Sequence, residues 1–208
     1  MAVAHDLTAL AERVAPVVLA HGRTLAVPDM LVGLFPDGGL VRGRVLACDG
    51  PASTSLALTL AAPTVAAGSW LATIDIPTLG LDAAAELGVP LERIVGVHSG
   101  AGPERTARWP ALLAATLDGI DVVITTVPPD LTAAVARALA ARIRQRGAVV
   151  LVVGAPDALA CDGVLRADSP EWCGLGDGFG HLRRRRVTVS ASGRRLPGHR
   201  SCRGTLPG

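Results

Sequence analysis

The chain contains 208 residues, half of them hydrophobic, which is enough for one domain with a sizeable core and short extensions. The net charge is only +2, and all 20 basic residues are arginine, so the sequence excludes a phosphate-loop lysine, a Schiff-base lysine and a lysine general base. No apolar run reaches the roughly 18 residues of a membrane span, and the four cysteines lack a metal-binding spacing, so we expect a cytoplasmic protein with no membrane segment and no metal site.

The first predicted element is an amphipathic helix at residues 4–21, where apolar residues recur at helical spacing. This helix precedes a regular alternation of strands and helices. We therefore interpret residues 1–29 as an N-terminal helical appendage and residues 30–192 as the core.

Short apolar strands alternate with helices through most of the core. The predicted strands are 44–48, 69–75, 93–97, 121–126 and 148–154. The first predicted helix ends near residue 67, and the three that follow span residues 81–87, 105–117 and 131–146. We expect Pro63 to bend or shorten the first of these helices and Pro110 to interrupt the third. The alternation predicts an α/β fold with a mainly parallel sheet covered by helices on both faces.

The pattern changes after residue 161. Two predicted strands, 163–167 and 186–192, follow each other without an intervening helix, which indicates antiparallel strands at the C-terminal end of the sheet. Residues 193–208 show little periodicity and are rich in arginine, glycine and proline. We predict that they form a basic, flexible tail.

A strand, a Gly-Pro turn and an apolar helix at residues 45–60 reproduce the frame of a phosphate-binding loop. Counted from Gly50, the positions of the second glycine, the lysine and the hydroxyl residue hold Ser55, Leu56 and Ala57. This degenerate loop lacks both the lysine and the Mg²⁺ ligand, so we expect no cofactor there. Its hydroxyl residues, Ser53 to Ser55, are expected to cap the helix, with a small anion nest as the alternative.

Ligands of open α/β sheets bind beyond the carboxyl ends of the strands. Among the predicted strand ends we count Asp75 as the ionisable residue and interpret it as a helix or turn cap. The five histidines are scattered, and the His98-Ser99 pair lacks a nucleophile-elbow motif. We therefore predict no catalytic residue and no enzyme activity.

Charge is distributed unevenly, because eight arginines and no acidic residue follow Asp177. The residues of interest for a partner are Arg183, Arg184, Arg185, Arg186, Arg194 and Arg195. Such a segment favours contact with nucleic acid or an acidic protein surface, and a solvated sheet edge is the alternative. The arginines of the helix at 131–146 are explained by the helix dipole.

Several stretches resemble the core of the RecA recombinase in order and spacing. Leu34–Val45, before the Gly50 turn, looks like the segment that leads into the RecA phosphate loop. Thr73–Val89 is similar to the RecA segment that contains the catalytic glutamate. Asp121–Thr126 is similar to the second nucleotide-binding strand of RecA. Pro77 and Thr126 stand where the resemblance places the catalytic glutamate and the aspartate. The resemblance therefore implies a RecA-like fold without ATP-driven strand exchange.

Within the RecA-like proteins, the chain looks most like the actinobacterial ImuA-prime type. The shared features are Trp70, the Leu79–Leu81 stretch, Trp109-Pro110, and the Gly174–Gly180 segment with an arginine-rich end. This resemblance implies an accessory protein of the damage-induced mutasome, nucleoid-associated during DNA damage. Its implied partners are an inactive Y-family polymerase homologue of the ImuB type and, indirectly, an error-prone replicative-type polymerase and the sliding clamp. The alternatives are a SulA-class cell-division inhibitor and a residual nucleotide-binding ATPase.

Overall fold

A computed structural model of the chain describes residues 22–77, 79–154, 158–176 and 179–207. The helix predicted at residues 4–21 lies outside these ranges. The described strands are β1 (Thr24–Leu25), β2 (Leu40–Val41), β3 (Val45–Asp49), β4 (Leu71–Ile74), β5 (Ile94–Val97), β6 (Val122–Thr125), β7 (Val149–Val153), β8 (Gly163–Gly176), β9 (Phe179–Ser192) and β10 (Arg200–Pro207). The described helices are α1 (Asp29–Val32), α2 (Ser53–Ala66), α3 (Leu81–Glu86), α4 (Gly102–Thr116) and α5 (Ala133–Arg146).

Eight strands form one sheet in the order β10-β9-β8-β3-β7-β6-β4-β5. The strands from β8 to β5 in this order are mutually parallel, whereas β9 and β10 pair antiparallel at one edge. Strands β1 and β2 form a separate antiparallel pair. The predicted α/β class, with a mainly parallel sheet and antiparallel strands at the C-terminal end, is confirmed.

Both faces of the parallel sheet are covered, which explains why its central strands are apolar at nearly every position. All four residues of β4 and of β6 are buried, and so are the first four of β3 and of β7. Helix α2 lies in one of the two hydrophobic clusters, and α4 and α5 contribute to the other. The sheet therefore separates two cores, and its strand ends are the exposed places where polar residues from different elements meet.

Helix α2 is buried on almost every side, with nine of its residues in the core. This placement explains why Pro63 does not end it: the helix continues to Ala66, and burial offsets the hydrogen bond that proline cannot donate. Helix α4 likewise runs through Pro110 without a break, because the neighbouring Trp109 and Leu113 anchor it in the second core. The predicted interruption at Pro110 is wrong.

The segment predicted as a flexible tail contains strand β10, which pairs with β9 from Arg200↔Ala191 to Pro207↔Arg184. Leu206 is buried and Cys202 packs against the first core. The prediction of a tail was wrong because most of the described residues of β10 are polar or glycine, so the sequence shows too little apolar alternation to indicate a strand. Strands β8 and β9 are also longer than predicted, with 14 residues each.

Among the described helices, none combines the length and apolarity required to cross a lipid bilayer.

Candidate functional site

The degenerate phosphate loop connects β3 to α2 at the carboxyl end of the sheet. Gly50 has a φ of 90°, and a Cβ atom at this position would lie 2.4 Å from the carbonyl oxygen of Ala167 on β8. Only glycine combines this backbone conformation with such a close approach. The loop is therefore tightly packed against the neighbouring strand.

The two positions that carry the chemistry of a working loop belong to the core in this chain. Leu56 and Ala57 are both 0% exposed, and both lie in the cluster that packs between α2 and the sheet. A lysine and a hydroxyl residue at these positions extend toward phosphate and Mg²⁺ in a phosphate-binding loop. Here the corresponding side chains stabilise the fold by apolar contact.

Helix α2 begins without a side-chain cap, because its N-cap is Ala52. The expected capping by the hydroxyl residues is wrong. Instead the Ser55 hydroxyl accepts a hydrogen bond from the Arg185 guanidinium, which also lies over the Trp172 ring at 5.3 Å from its centroid. Burial lowers the pKa of Arg185 below its ordinary value. A cation from the β8–β9 hairpin thus lies at a helix end that favours anions.

Asp75 is the centre of a polar network beyond β4. Its backbone has a φ of 54°, which is uncommon for a residue other than glycine. Its carboxylate accepts hydrogen bonds from the Ser99 backbone N–H at 2.9 Å, from the Ser99 hydroxyl, and from Nε of Arg105 at 2.9 Å. The predicted role as a local cap is wrong, because these partners follow β5 and belong to α4.

Arg105 and Thr126 close the same network. Arg105 Nη2 donates to the Thr126 carbonyl at 3.1 Å and to its hydroxyl at 2.6 Å, and the Thr126 hydroxyl donates to the Asp75 carbonyl at 3.0 Å. The ends of β4, β5 and β6 and the first turn of α4 are thereby tied together. We call Asp75, Ser99, Arg105 and Thr126 the carboxyl-end network.

The network keeps the Asp75 carboxylate charged. Burial raises the pKa of this group, but the hydrogen bonds from the Ser99 side chain and backbone and the hydrogen bond and charge of Arg105 outweigh burial and hold the pKa below its ordinary value. A carboxylate with a lowered pKa and three donors is a weak proton acceptor. Its geometry suits structural stabilisation better than general-base catalysis.

A second acidic residue, Asp49, stands at a strand end, so Asp75 is not the single ionisable group there. It closes β3 and pairs with Arg166 on β8, which also binds Asp168 at 2.9 Å. Both ion pairs lie on the exposed side of the loop. The sequence pattern did not reveal Asp49 as a strand-end residue because it directly precedes the Gly-Pro turn and reads as part of that turn.

The arginine run at 183–186 does not form one basic surface. Strand β9 alternates its side chains, so Arg185 points toward α2 while Arg184 and Arg186 are exposed. Arg186 lies 3.6 Å from Glu171 on β8. The side chain of Arg183 lies outside the described part of the structure. The run is therefore divided between internal packing and an ion-paired exposed face.

Arg194 and Arg195 lie at the other end of β9, where the parallel strands begin. There they line an open groove of about 540 Å³ together with four arginines from distant segments, Arg23, Arg42, Arg44 and Arg144. We call this the amino-end groove. Sequence reasoning missed its other members because they are isolated in the sequence and converge only through the order of the strands.

The four cysteines are free thiols. Burial raises the pKa of Cys48, and burial and the charge of Asp162 raise the pKa of Cys161 to about 12. Thiols with raised pKa values are poor nucleophiles. In the described ranges no three histidine, cysteine or acidic side chains are grouped closely enough to hold a metal ion.

Comparisons with known proteins are consistent with this architecture. The family model for the MT3502 N-terminal domain matches residues 33–158. The uncharacterized protein Rv3395c of Mycobacterium tuberculosis (strain ATCC 25618 / H37Rv) is 37% identical over 100 residues, which cover 47% of this chain and 46% of that protein. The match thus spans about half the length of this relative.

The crystal structure of the RadB recombinase is similar to this chain with a TM-score of 0.56, over 84% of this chain and 92% of that chain. The sequence identity is 15%, so the similarity shows the fold alone. It confirms the predicted RecA-like fold. The finer resemblance to the ImuA-prime type stays a prediction.

Proposed function

Since this chain belongs to the MT3502 N-terminal domain family and has a RecA-like fold, we propose that it is a non-catalytic adaptor of the DNA-damage-induced mutasome. In this role it supports error-prone translesion synthesis by binding an inactive Y-family polymerase homologue of the ImuB type. Contact with an error-prone replicative-type polymerase and the sliding clamp is indirect.

One observation carries the non-catalytic part of the proposal. Leu56 and Ala57 are core residues at the two loop positions that bind phosphate and Mg²⁺ in a working loop. The carboxyl-end network supports the same conclusion, because Asp75 is engaged by Ser99 and Arg105. We expect neither saturable ATP binding by calorimetry nor ATP hydrolysis above a blank.

A variant at the start of α2 identifies any nucleotide binding that remains at the loop. Ser55→Glu places a carboxylate at the helix N-terminus, where it repels phosphate. Thr205→Glu, on exposed β10, is the control with the same change in charge. ATP binding that Ser55→Glu abolishes and Thr205→Glu preserves would support the residual ATPase. Substitution of Gly50 does not serve this purpose, because its added Cβ overlaps the Ala167 carbonyl.

In the part of the chain that the structure describes, β5 is the last strand at one edge of the sheet, and this edge offers a surface for the protein partner. Val95 on β5 is 39% exposed, and Trp70, which directly precedes the neighbouring strand β4, is 44% exposed, with the Arg93 guanidinium 5.8 Å from the Trp70 ring centroid. An edge strand with unpaired backbone groups and exposed apolar side chains fits an extended segment of a partner. We therefore place the polymerase homologue at this edge.

A pull-down with the ImuB-type partner tests the adaptor role. We expect the wild-type chain and Thr205→Glu to retain the partner and Val95→Glu to lose most of it, since a charge is placed on the apolar edge. Circular dichroism confirms that each variant is folded. Failure of the folded wild-type chain to retain the partner would refute the adaptor role. Filamentation of cells that overproduce the chain would instead support the SulA-class alternative.

A further inference from the structure

The amino-end groove is the most basic feature of the described structure. Its lining combines six arginines with one acidic residue, Asp162, and one apolar side chain, Val41. It lies at the amino ends of the parallel strands, opposite the degenerate phosphate loop and the carboxyl-end network. Neither the adaptor role nor the degenerate phosphate loop explains this concentration of positive charge.

The groove is built on well-fixed backbone. Gly43 packs against α5, where an added Cβ would lie 3.1 Å from the Cα atom of Arg144. The Arg195 backbone N–H donates to the Asp162 carbonyl at 2.9 Å, and the neighbouring Leu196 is buried in the first core. The arginines therefore project from ordered turns and from the last turn of a helix, on backbone that is held in place before any ligand binds.

Two groove arginines already have acidic partners. Arg42 pairs with Asp121 at 2.6 Å, and Arg44 pairs with Asp162 at 3.2 Å. The Arg42 and Arg44 side chains are mostly buried, so these two ion pairs form the floor of the groove. They leave its rim to other residues.

The rim consists of Arg23, Arg144, Arg194 and Arg195, all of them exposed. Within the described ranges, none of the four makes an ion pair. Helix α5 shows the contrast clearly, because Arg142 and Arg146 both pair with Asp118 while Arg144 points to the groove. The helix dipole alone therefore does not explain the arginines of α5.

We propose that the amino-end groove binds the sugar–phosphate backbone of duplex nucleic acid, without reading its sequence. Guanidinium groups match phosphate oxygens by paired hydrogen bonds as well as by charge. Among the described residues, none that lines the groove is aromatic and able to stack on the bases of a single strand. A folded acidic protein needs a central apolar anchor, and Val41 is the one apolar side chain among the described residues of the lining.

This inference goes beyond the adaptor role and does not depend on it, because the purified chain binds the duplex without a protein partner. It also differs from the sequence-based expectation of a basic C-terminal tail. Arg194 and Arg195 act from one end of β9, together with arginines that precede β1, β3 and β7. Arg184 and Arg186, at the other end of β9, take no part.

The test measures fluorescence anisotropy of a labelled 20-base-pair duplex of random sequence at several salt concentrations. Four phosphate contacts predict an affinity that falls roughly a hundredfold between 50 and 200 mM salt. Arg144→Gln/Arg194→Gln/Arg195→Gln removes three contacts, so we expect its salt dependence to be about a quarter of that of the wild type. Arg108→Gln/Arg184→Gln/Arg203→Gln removes the same charge from exposed positions elsewhere and should leave both affinity and slope near the wild-type values.

The proposal is overturned by no duplex binding at 50 mM salt, by equal loss in both triple variants, or by tighter binding of a polyglutamate peptide of equal charge. The last outcome identifies an acidic protein segment as the ligand. Tighter binding of a single strand than of the duplex also contradicts it. Thermal unfolding of each variant confirms that a loss of binding reflects the removed charge. A negative pull-down with the polymerase homologue leaves these results unaffected, so the two proposals fail separately.

Discussion

At the scale of single residues, Asp75 shows how a strained backbone is held by side-chain contacts. Its positive φ is costly for most residues, and its carboxylate is 10% exposed. The donors of Ser99 and Arg105 fix it in place. A residue with such geometry suggests a former or present functional position, and here its hydrogen-bonding capacity is used within the fold.

Replacing Asp75 by asparagine tests this account, because asparagine tolerates a positive φ and changes mainly the charge. We expect Asp75→Asn to lower the free energy of unfolding by about 2–3 kcal/mol at pH 7, since Arg105 loses its ionic partner. Urea denaturation provides the measurement. Ser99→Ala, which removes one donor and keeps the ion pair, should cost less than Asp75→Asn.

The lowered pKa of Asp75 also fixes the sign of a pH effect. The folded state holds this carboxyl deprotonated below its ordinary pKa of 3.8, so its contribution to stability is present above that value and is lost as the pH falls through the lowered pKa. The wild-type advantage over Asp75→Asn should therefore shrink from pH 5 to pH 3. If the difference in the free energy of unfolding between wild type and Asp75→Asn stays constant over this interval, the charge of Asp75 does not contribute to stability.

Gly50 offers a second residue-scale prediction, with Gly68 as its control. Both have positive φ values, 90° and 110°, but a Cβ at Gly50 overlaps the Ala167 carbonyl, whereas one at Gly68 meets no atom within 4 Å. Gly68→Ala should cost about 1–2 kcal/mol from backbone strain alone. Gly50→Ala should cost about 2 kcal/mol more, because backbone atoms must shift. Chemical denaturation compares the two, and equal losses would contradict the close packing of the loop.

At the scale of elements, the contact between the β8–β9 hairpin and α2 is electrostatically suboptimal. The Arg185 guanidinium lies at the positive end of the helix, and its Nε atom is buried without a hydrogen-bond partner in the described structure. The opposite arrangement, an anion at this end, is the favourable one. The contact can therefore be improved by a single substitution.

Ser55→Asp should raise the free energy of unfolding by about 1 kcal/mol, because the new carboxylate pairs with Arg185 and interacts favourably with the helix dipole. Ser55→Ala should lower it by about 1 kcal/mol through the lost hydrogen bond. Thermal unfolding at low and high salt is the measurement, and the gain from aspartate should decrease with salt. Destabilisation by both substitutions would mean that Arg185 does not reach this position.

Strand β10 provides a further element-scale prediction. Leu206→Ala removes a buried side chain and should lower the free energy of unfolding by about 2–4 kcal/mol. Thr205→Ala, exposed on the same strand, should change it by less than about 0.5 kcal/mol. Urea denaturation measures both variants. A negligible effect of Leu206→Ala on the free energy of unfolding would support the flexible tail that was predicted from the sequence.

The elements differ in how far the sequence could predict them. Strands β3, β6 and β7 were predicted because burial on both faces requires continuous apolar runs, and short runs of this kind between turn residues are typical of buried strands. Strand β10 was not, because its residues are mostly polar and its place depends on pairing with β9. The interruption predicted at Pro110 was wrong because local propensity does not include the burial of the helix around it.

At the scale of the whole molecule, the sheet has two functionally different ends. At the carboxyl end, Leu56 and Ala57 contribute to packing, and Asp75 belongs to a closed polar network. At the amino end, arginines from four separate segments converge on one groove. The replacement of the loop residues could be read from the sequence, since the loop frame is local. The sequence did not predict the groove, since that arrangement depends on long-range strand order.

The central position of β3 has a consequence for synthesis of the protein on the ribosome. This strand pairs only with β7 and β8, which follow much later in the chain. When β3 and the apolar helix α2 emerge, neither pairing strand has been translated. Their apolar surfaces remain uncovered until residues 149–166 leave the exit tunnel, so we expect this chain to require chaperone protection early in translation and to fold late.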